Sequence, residues 1–336
     1  MNTTGIPAQN GFDAFRWIAA LTIVVSHYCV LTQTKVLIVP PTNEAVQLFF
    51  ILSGALTYRS FVAHPDTLSF FKRRARRILP AYWGTIIICL LIGLLFTKMP
   101  LREFVVHPQT WCYLAWNTIM LGHMNPDLPA TFVDHVPPAM DGALWTMKYE
   151  VVFYLLLPLL ILLITGRKKL RALLIIYIFL TLTQIALSII DWNVQSETTA
   201  LLASRGVAQA TCFLAGIIVS EAFPMLVAKR KWLLPLTLAL CLTATIAWPV
   251  YIVWPLLFAT AIILLGTLSP KLGICRRLPP LTYELFLVHF PIIQASVEAG
   301  LPQHLGTWPA FAACLGLSLA MAYLLHRSVK PLTNPR

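Results

Sequence analysis

Residues 12–31 read FDAFRWIAALTIVVSHYCVL. The stretch is apolar enough to enter a bilayer, yet it carries Arg16 near its start and His27 deep inside. On a helix His27 lies roughly 16 Å beyond Arg16, about half the hydrocarbon thickness. With Arg16 at one membrane face, His27 sits near the midplane. An ionisable side chain at that depth is costly and marks a functional site by default. The structural alternative is a neutral histidine satisfied by a neighbouring helix.

The rest of the chain shares this character. Hydrophobic residues make up 58% of the 336 and charged residues 11%, with mean hydropathy +0.76. A soluble domain carries about 25% charged residues, so this is an integral membrane protein, best read by hydropathy. The net charge of +12 does not point to nucleic acid. The lysines and arginines cluster between apolar spans, which is how membrane topology is encoded. Seven cysteines (29, 89, 112, 212, 241, 275, 314) form no CxxC pair and lie mostly in apolar segments. They read as small buried hydrophobes, and nothing suggests a metal site. The first apolar stretch is a full span with no small-residue cleavage site after it, so it is expected to stay as an anchor.

Ten spans are expected in an all-α, single-domain chain: about 12–31, 45–62, 79–97, 143–165, 170–190, 203–222, 232–248, 250–268, 281–299 and 308–326. Ser53-Gly54 in the second span is a small pair that lets another helix approach closely. The region 98–143 is the least regular. It holds six prolines and one apolar run, Trp111 to His123. Thirteen residues are too few to cross, so a re-entrant or interfacial helix is expected. With ten spans and both termini cytoplasmic, twenty of the 25 basic residues fall inside, a strong bias under the positive-inside rule. Making Trp111–His123 a crossing would put the RKKLR cluster of 167–171 outside, against that bias.

Span four opens ALWTMKYEVVFY, residues 143–154. Entering from the outer face near Leu144, it carries Glu150 about 9 Å into the hydrocarbon. His27 lies about 14 Å from that face, and His289 in the ninth span about 12 Å from the inner one. Three titratable groups from three helices at a common depth read as a polar cavity or a proton path. Trp145, Tyr149 and Tyr283 flank these positions, and with Ser53 and His289 they are candidates to line such a cavity. His289 taken alone reads as a packed, hydrogen-bonded histidine.

At the inner face Lys72, Arg73, Arg74, Arg76 and Arg77 precede Pro80, a residue suited to open a helix. Arginines can fork onto phosphate oxygens. The plain alternative is a topogenic cluster held on anionic lipid.

Five ordered segments carry a resemblance: FDAFRWIAALTIVVSHY, LFFILSGALTYRSF, FFKRRARRILPAYW, ALWTMKYEVVFYLLLPLL and LTYELFLVHFPI. Together they resemble the signature segments of the acyltransferase-3 family of membrane O-acyltransferases, over residues 12 to about 293. The family's Arg-x10-His motif matches Arg16 and His27. Its Arg-x-x-Arg motif matches Arg74 and Arg77, with Arg73 and Arg76 as a second register. The acidic residue after the W-[ST]-L segment matches Glu150. Met147 stands where the family usually has leucine, and one acidic residue stands where many members have two. No hydrolase-like domain follows the last span, so a stand-alone enzyme of the inner membrane is expected.

The resemblance implies transfer of an acyl group, in the first place acetyl, from cytoplasmic acetyl-CoA to a hydroxyl of a glycan or lipid-linked saccharide. The donor phosphates would rest on Arg74, Arg77 and Arg16. His27 would act as the base that makes an alcohol nucleophilic, and Glu150 would orient it or stabilise its charged form. A covalent acyl-histidine is an open variant. The competing class is a transporter or flippase of a lipid-linked saccharide, which ten spans and midplane charges also suit. Against it stands the lack of visible repeat symmetry. A non-catalytic scaffold would leave the buried His and Glu unexplained.

Overall fold

A computed structural model describes residues 6, 10–35, 41–164, 166, 168–195, 197–244, 253–268 and 279–333. These form α1 (Phe12–Leu31), α2 (Thr42–Ala63), α3 (Thr67–Phe96), α4 (Leu101–Val106), α5 (Pro108–Thr118), α6 (Trp145–Leu163) and α7 (Lys169–Val194). There follow α8 (Glu197–Leu201), a π-helical turn (Leu202–Val207), α9 (Ala208–Ala228), α10 (Arg230–Ala244), α11 (Trp254–Leu268), α12 (Thr282–Glu298), α13 (Leu301–Leu305) and α14 (Thr307–Thr333). No strand occurs among the described residues.

Among the described residues seven helices are long and apolar enough to cross a membrane: α1, α2, α3, α6, α7, the π-turn with α9, and α14. The other three expected spans fall on α10, α11 and α12, whose described lengths are 15, 15 and 17 residues. The junction expected between 248 and 250, together with Arg167, Lys271, Cys275, Arg276, Arg277 and Arg336, lies outside the described residues. The apolar run at Trp111 ends as an 11-residue helix, α5, of about 16 Å. That is too short to cross.

One expectation is corrected. Pro80 does not open the third helix. It lies inside α3, which starts at Thr67. Asp66 is the reason: its carboxylate accepts from the Leu68 N–H at 3.2 Å and from the Ser69 hydroxyl, as an N-cap does. Proline interrupts the hydrogen-bond ladder but is tolerated in long apolar helices. Lys72 to Arg77 are therefore helical.

The chain divides into two compact units. The first comprises residues 1–19, 43–71 and 149–278; the second comprises 20–42, 72–148 and 279–336.

In the first unit α9 packs against α7 and α11, and α11 against α10. A reciprocal glycine contact sets the crossing of α2 and α9. A Cβ on Gly54 would stand 2.0 Å from the Phe213 carbonyl oxygen, and one on Gly216 would stand 2.1 Å from that of Ile51. Only backbone without side chains fits there. Polar ties hold α2 to α9 and to α11. Tyr58 donates to Glu221 Oε2 at 2.6 Å, and Trp254 Nε1 donates to Gln47 Oε1 at 2.8 Å. Leucines 155, 159 and 162 on α6, with Ile175, Phe179 and Leu182 on α7, are exposed, as lipid-facing side chains are in a membrane span.

In the second unit α12 packs along α14. Tyr283 donates to the Ile78 carbonyl at 3.1 Å, and Tyr28 donates to that of Thr307. The loop before α6 is strapped to α12. The buried Gln294 amide donates to the Pro137 and Ala139 carbonyls, both at 2.9 Å. His135 bonds the Gln294 oxygen through Nδ1 and lies 2.8 Å from Glu298 Oε2 through Nε2.

Gly54→Leu should destabilise the protein by more than about 3 kcal/mol, because backbone cannot yield as a side chain can. Gly316→Ala, where no atom lies within 4 Å of the new methyl group, should hold or raise stability by up to about 1 kcal/mol. Thermal unfolding in detergent measures both.

Candidate active site

α1 runs unbroken through both Arg16 and His27, so their separation is the helical rise of eleven residues. Arg16 makes an ion pair with Asp13 at 2.8 Å, one turn earlier on the same helix. His27 is half-buried. Its Nδ1 lies 2.7 Å from His289 Nε2, with ring planes 9° apart and centroids at 5.0 Å. Phe290 presents its ring edgewise to His27, at 5.1 Å and 78°. Behind Phe290 is Gly142, whose missing side chain leaves the room: a Cβ there would stand 2.7 Å from Phe290 Cζ. His289 is fully buried, and its other nitrogen, Nδ1, lies 3.1 Å from the Leu285 carbonyl oxygen. The sequence placed both histidines near mid-depth. Their direct bond is new.

Glu150 sits one turn before Tyr154 on α6, and the Tyr154 hydroxyl donates to its carboxylate. Ser53 on α2 adds a longer contact, 3.4 Å to Glu150 Oε1, and lies 3.2 Å from the Tyr154 hydroxyl. Phe70 packs edgewise on Tyr154 at 6.3 Å. Ser53 is thus brought to Glu150, and Tyr154 joins them as a residue the sequence reading missed. Its signal was the i, i+4 spacing from Glu150, which places two polar groups on one face of an otherwise apolar helix.

The basic cluster divides by exposure. Arg73, Arg76 and Arg77 are exposed with Lys72, and Arg74 is half-buried. Four guanidinium groups and an ammonium within two turns suit a ligand carrying several phosphates. Among the described residues no group of three His, Cys, Asp or Glu side chains converges as a metal set.

Trp145 is half-buried at the start of α6. Tyr149 lies near Gly206 of the π-helical turn, where a Cβ would stand 3.8 Å from its ring, and near Arg205. Tyr283 spends its hydroxyl on the Ile78 carbonyl, which ties α12 to α3.

Asp141 was also missed. It is buried in the loop before α6, where its Oδ1 accepts from the Ala143 N–H at 2.9 Å and its Oδ2 meets no partner among the described residues. Burial pushes its carboxyl well above the usual carboxylate range, so the neutral acid is favoured. A raised folded-state pKa means that the protein loses stability as pH climbs from the carboxylate range toward the folded value. Asp141→Asn removes that loss. The variant should match wild type near pH 4 and unfold at a higher temperature at pH 8. Melting curves at the two pH values check this.

The family model described as an acyltransferase domain, acyltransferase-3, matches residues 9–327. Over 180 residues the chain is 27% identical to the O-acetyl transferase of Shigella phage Sf6, covering 52% of each chain. Over 169 residues it is 27% identical to Nodulation protein 10 of Rhizobium leguminosarum bv. viciae, covering 46% of this chain and 44% of that one. The chain thus spans about half the length of these curated relatives. No solved structure matches it. With a match across nearly its whole length, and with Arg16 and His27 on one helix, the chain belongs to the acyltransferase-3 family.

Proposed function

We propose that the protein is an O-acyltransferase of the inner (plasma) membrane. It moves an acyl group, in the first place acetyl, from cytoplasmic acyl-CoA to a hydroxyl of a cell-surface or exported glycan. Ten spans with both termini cytoplasmic complete the reading, supported by the positive-inside bias. The observation that carries it is the half-buried imidazole of His27, on the same unbroken helix as Arg16 in a chain of this family. The phage relative named O-acetyl transferase supports the acetyl group.

In the proposed reaction His27 Nε2 takes the proton of the acceptor hydroxyl. The oxygen then bonds to the thioester carbonyl carbon and the carbon–sulfur bond breaks. Nε2 returns its proton to the departing sulfur. Arg74, Arg77 and Arg16 hold the donor phosphates, as point charges and forks matched to oxygen pairs. Glu150, which takes hydrogen bonds from the Tyr154 and Ser53 hydroxyls, is the second residue assigned to the reaction in this reading.

Purified protein with acetyl-CoA and candidate glycans should release free thiol and acetylated glycan. His27→Ala should cut this at least about 100-fold while expression and melting temperature stay near wild type. A well-folded variant with normal turnover would refute the assignment.

The cluster makes a second expectation. Arg74→Ala should raise KM for acetyl-CoA about tenfold, equivalent to about 1.4 kcal/mol. Arg73→Ala should raise it less, because of the cluster's four arginines Arg74 is the half-buried one. Steady-state titration with acetyl-CoA separates the two. Unchanged KM in both, and in Arg76→Ala and Arg77→Ala, would assign the cluster to lipid alone.

A further inference from the structure

His289 has no part in the reaction just described, yet it is the hydrogen-bond partner of the base. Its two nitrogens have different neighbours. Nδ1 lies 3.1 Å from the Leu285 carbonyl oxygen, one turn back on α12, and Nε2 lies 2.7 Å from His27 Nδ1. A carbonyl oxygen only accepts, so His289 Nδ1 carries a proton. A neutral imidazole has a single N–H, which leaves a lone pair on His289 Nε2.

That lone pair decides the state of His27. Two lone pairs cannot share a 2.7 Å contact, so His27 Nδ1 must be the donor. Its own single proton is then on Nδ1, and Nε2 is left as a lone pair. The opposite tautomer of His27 would require His289 to hold a proton on each nitrogen. That is a full positive charge on a side chain with no exposure, and burial opposes it strongly. The rings are held in this relation from both sides. Phe290 packs edgewise on His27 at 5.1 Å, and Phe286 tilts against His289 at 6.0 Å.

We propose that His289 is a positioning residue: through its bond to the Leu285 carbonyl and its lone pair toward His27, it fixes the tautomer in which His27 Nε2 is the free base. This rests on the acyl-transfer reading for its use, though not for its geometry. When Nε2 takes the hydroxyl proton, His27 holds protons on both nitrogens. Nδ1–H still points at the His289 lone pair, so the new charge faces an acceptor. When Nε2 gives its proton to the departing sulfur, the starting tautomer returns without any ring turning over. A neutral histidine thus does the orienting work that a carboxylate does in other bases.

The state of His27 is read directly, without activity, on the wild-type protein labelled with nitrogen-15 histidine. The His27 signals are identified by their loss in His27→Ala. Nε2 couples to both carbon-bound ring protons, whereas Nδ1 couples strongly to one. The expected spectrum shows the unprotonated nitrogen of His27 coupled to both ring protons, which identifies Nε2. An unprotonated Nδ1 overturns the proposal, whatever the activity.

Two variants add kinetics. His289→Gln keeps an acceptor oxygen near the Nε2 position and should stay within about tenfold of wild-type kcat. His289→Phe keeps bulk without an acceptor and should lose about 100-fold in kcat, the lower end of what general base catalysis supplies, with KM for acetyl-CoA unchanged. Equal kcat in folded His289→Phe and wild type refutes the proposal. If His289→Phe fails to fold, the spectrum and His289→Gln decide; a His289→Gln protein that folds but loses as much as His27→Ala counts against it. Should wild type release no thiol at all, or His27→Ala turn over normally, the acyl-transfer reading fails instead, and the spectrum still judges the tautomer.

Discussion

A polar group in hydrocarbon has no water to bond with, so it must find its partner inside the protein. Many side chains in the helices do so. Thr85, Thr181, Thr260 and Ser318 turn their hydroxyls back to the carbonyls of Ala81, Tyr177, Leu256 and Cys314, four residues earlier. Longer side chains reach across to a second helix, as Tyr58 does to Glu221 and His27 to His289. The groups available for chemistry are thus the groups that tie helices together. A base in this setting comes with a fixed partner, because an unpartnered one would cost too much to bury.

Environment, more than residue type, separates the two acidic side chains around the start of α6. Glu150 receives hydroxyl donors from Tyr154 and Ser53. Asp141, nine residues earlier, has a single backbone donor for one oxygen and none among the described residues for the other. Its burial favours the proton-bearing form. Two carboxyl groups so placed have different chemistry available to them.

Hydropathy made the long apolar helices legible, and the expected bounds of α1 coincide with the observed Phe12–Leu31. The small pair at Ser53-Gly54 also announced a close helix crossing, now seen at Phe213. What local pattern could not carry was pairing over distance. His27 and His289 are 262 residues apart, and equal depth does not say that two rings share a bond. The burial of Asp141 depends on how the proline-rich loop folds back on α12, which no periodicity encodes. Pro80 misled for a different reason. A proline that opens a helix and one tolerated within it leave the same mark on a sequence, and the better sign was Asp66, which caps the helix thirteen residues upstream of where it was expected.

That early start has a mechanical consequence. α3 has 30 residues, about 45 Å of helix, against a hydrocarbon slab of about 30 Å. Roughly ten residues must stand proud of the slab as a mast, and the basic side chains ride on it. A dissolved polyanion meets the mast before it meets the lipid. The mast and the membrane-spanning part are one helix, with Pro80 interrupting its hydrogen-bond ladder just past the last arginine. A span tilt of about 20° carries a 15 Å tip sideways by about 5 Å. The reach of the arginines is therefore set by how α3 leans in the bilayer, and membrane thickness becomes a variable that acts on them directly.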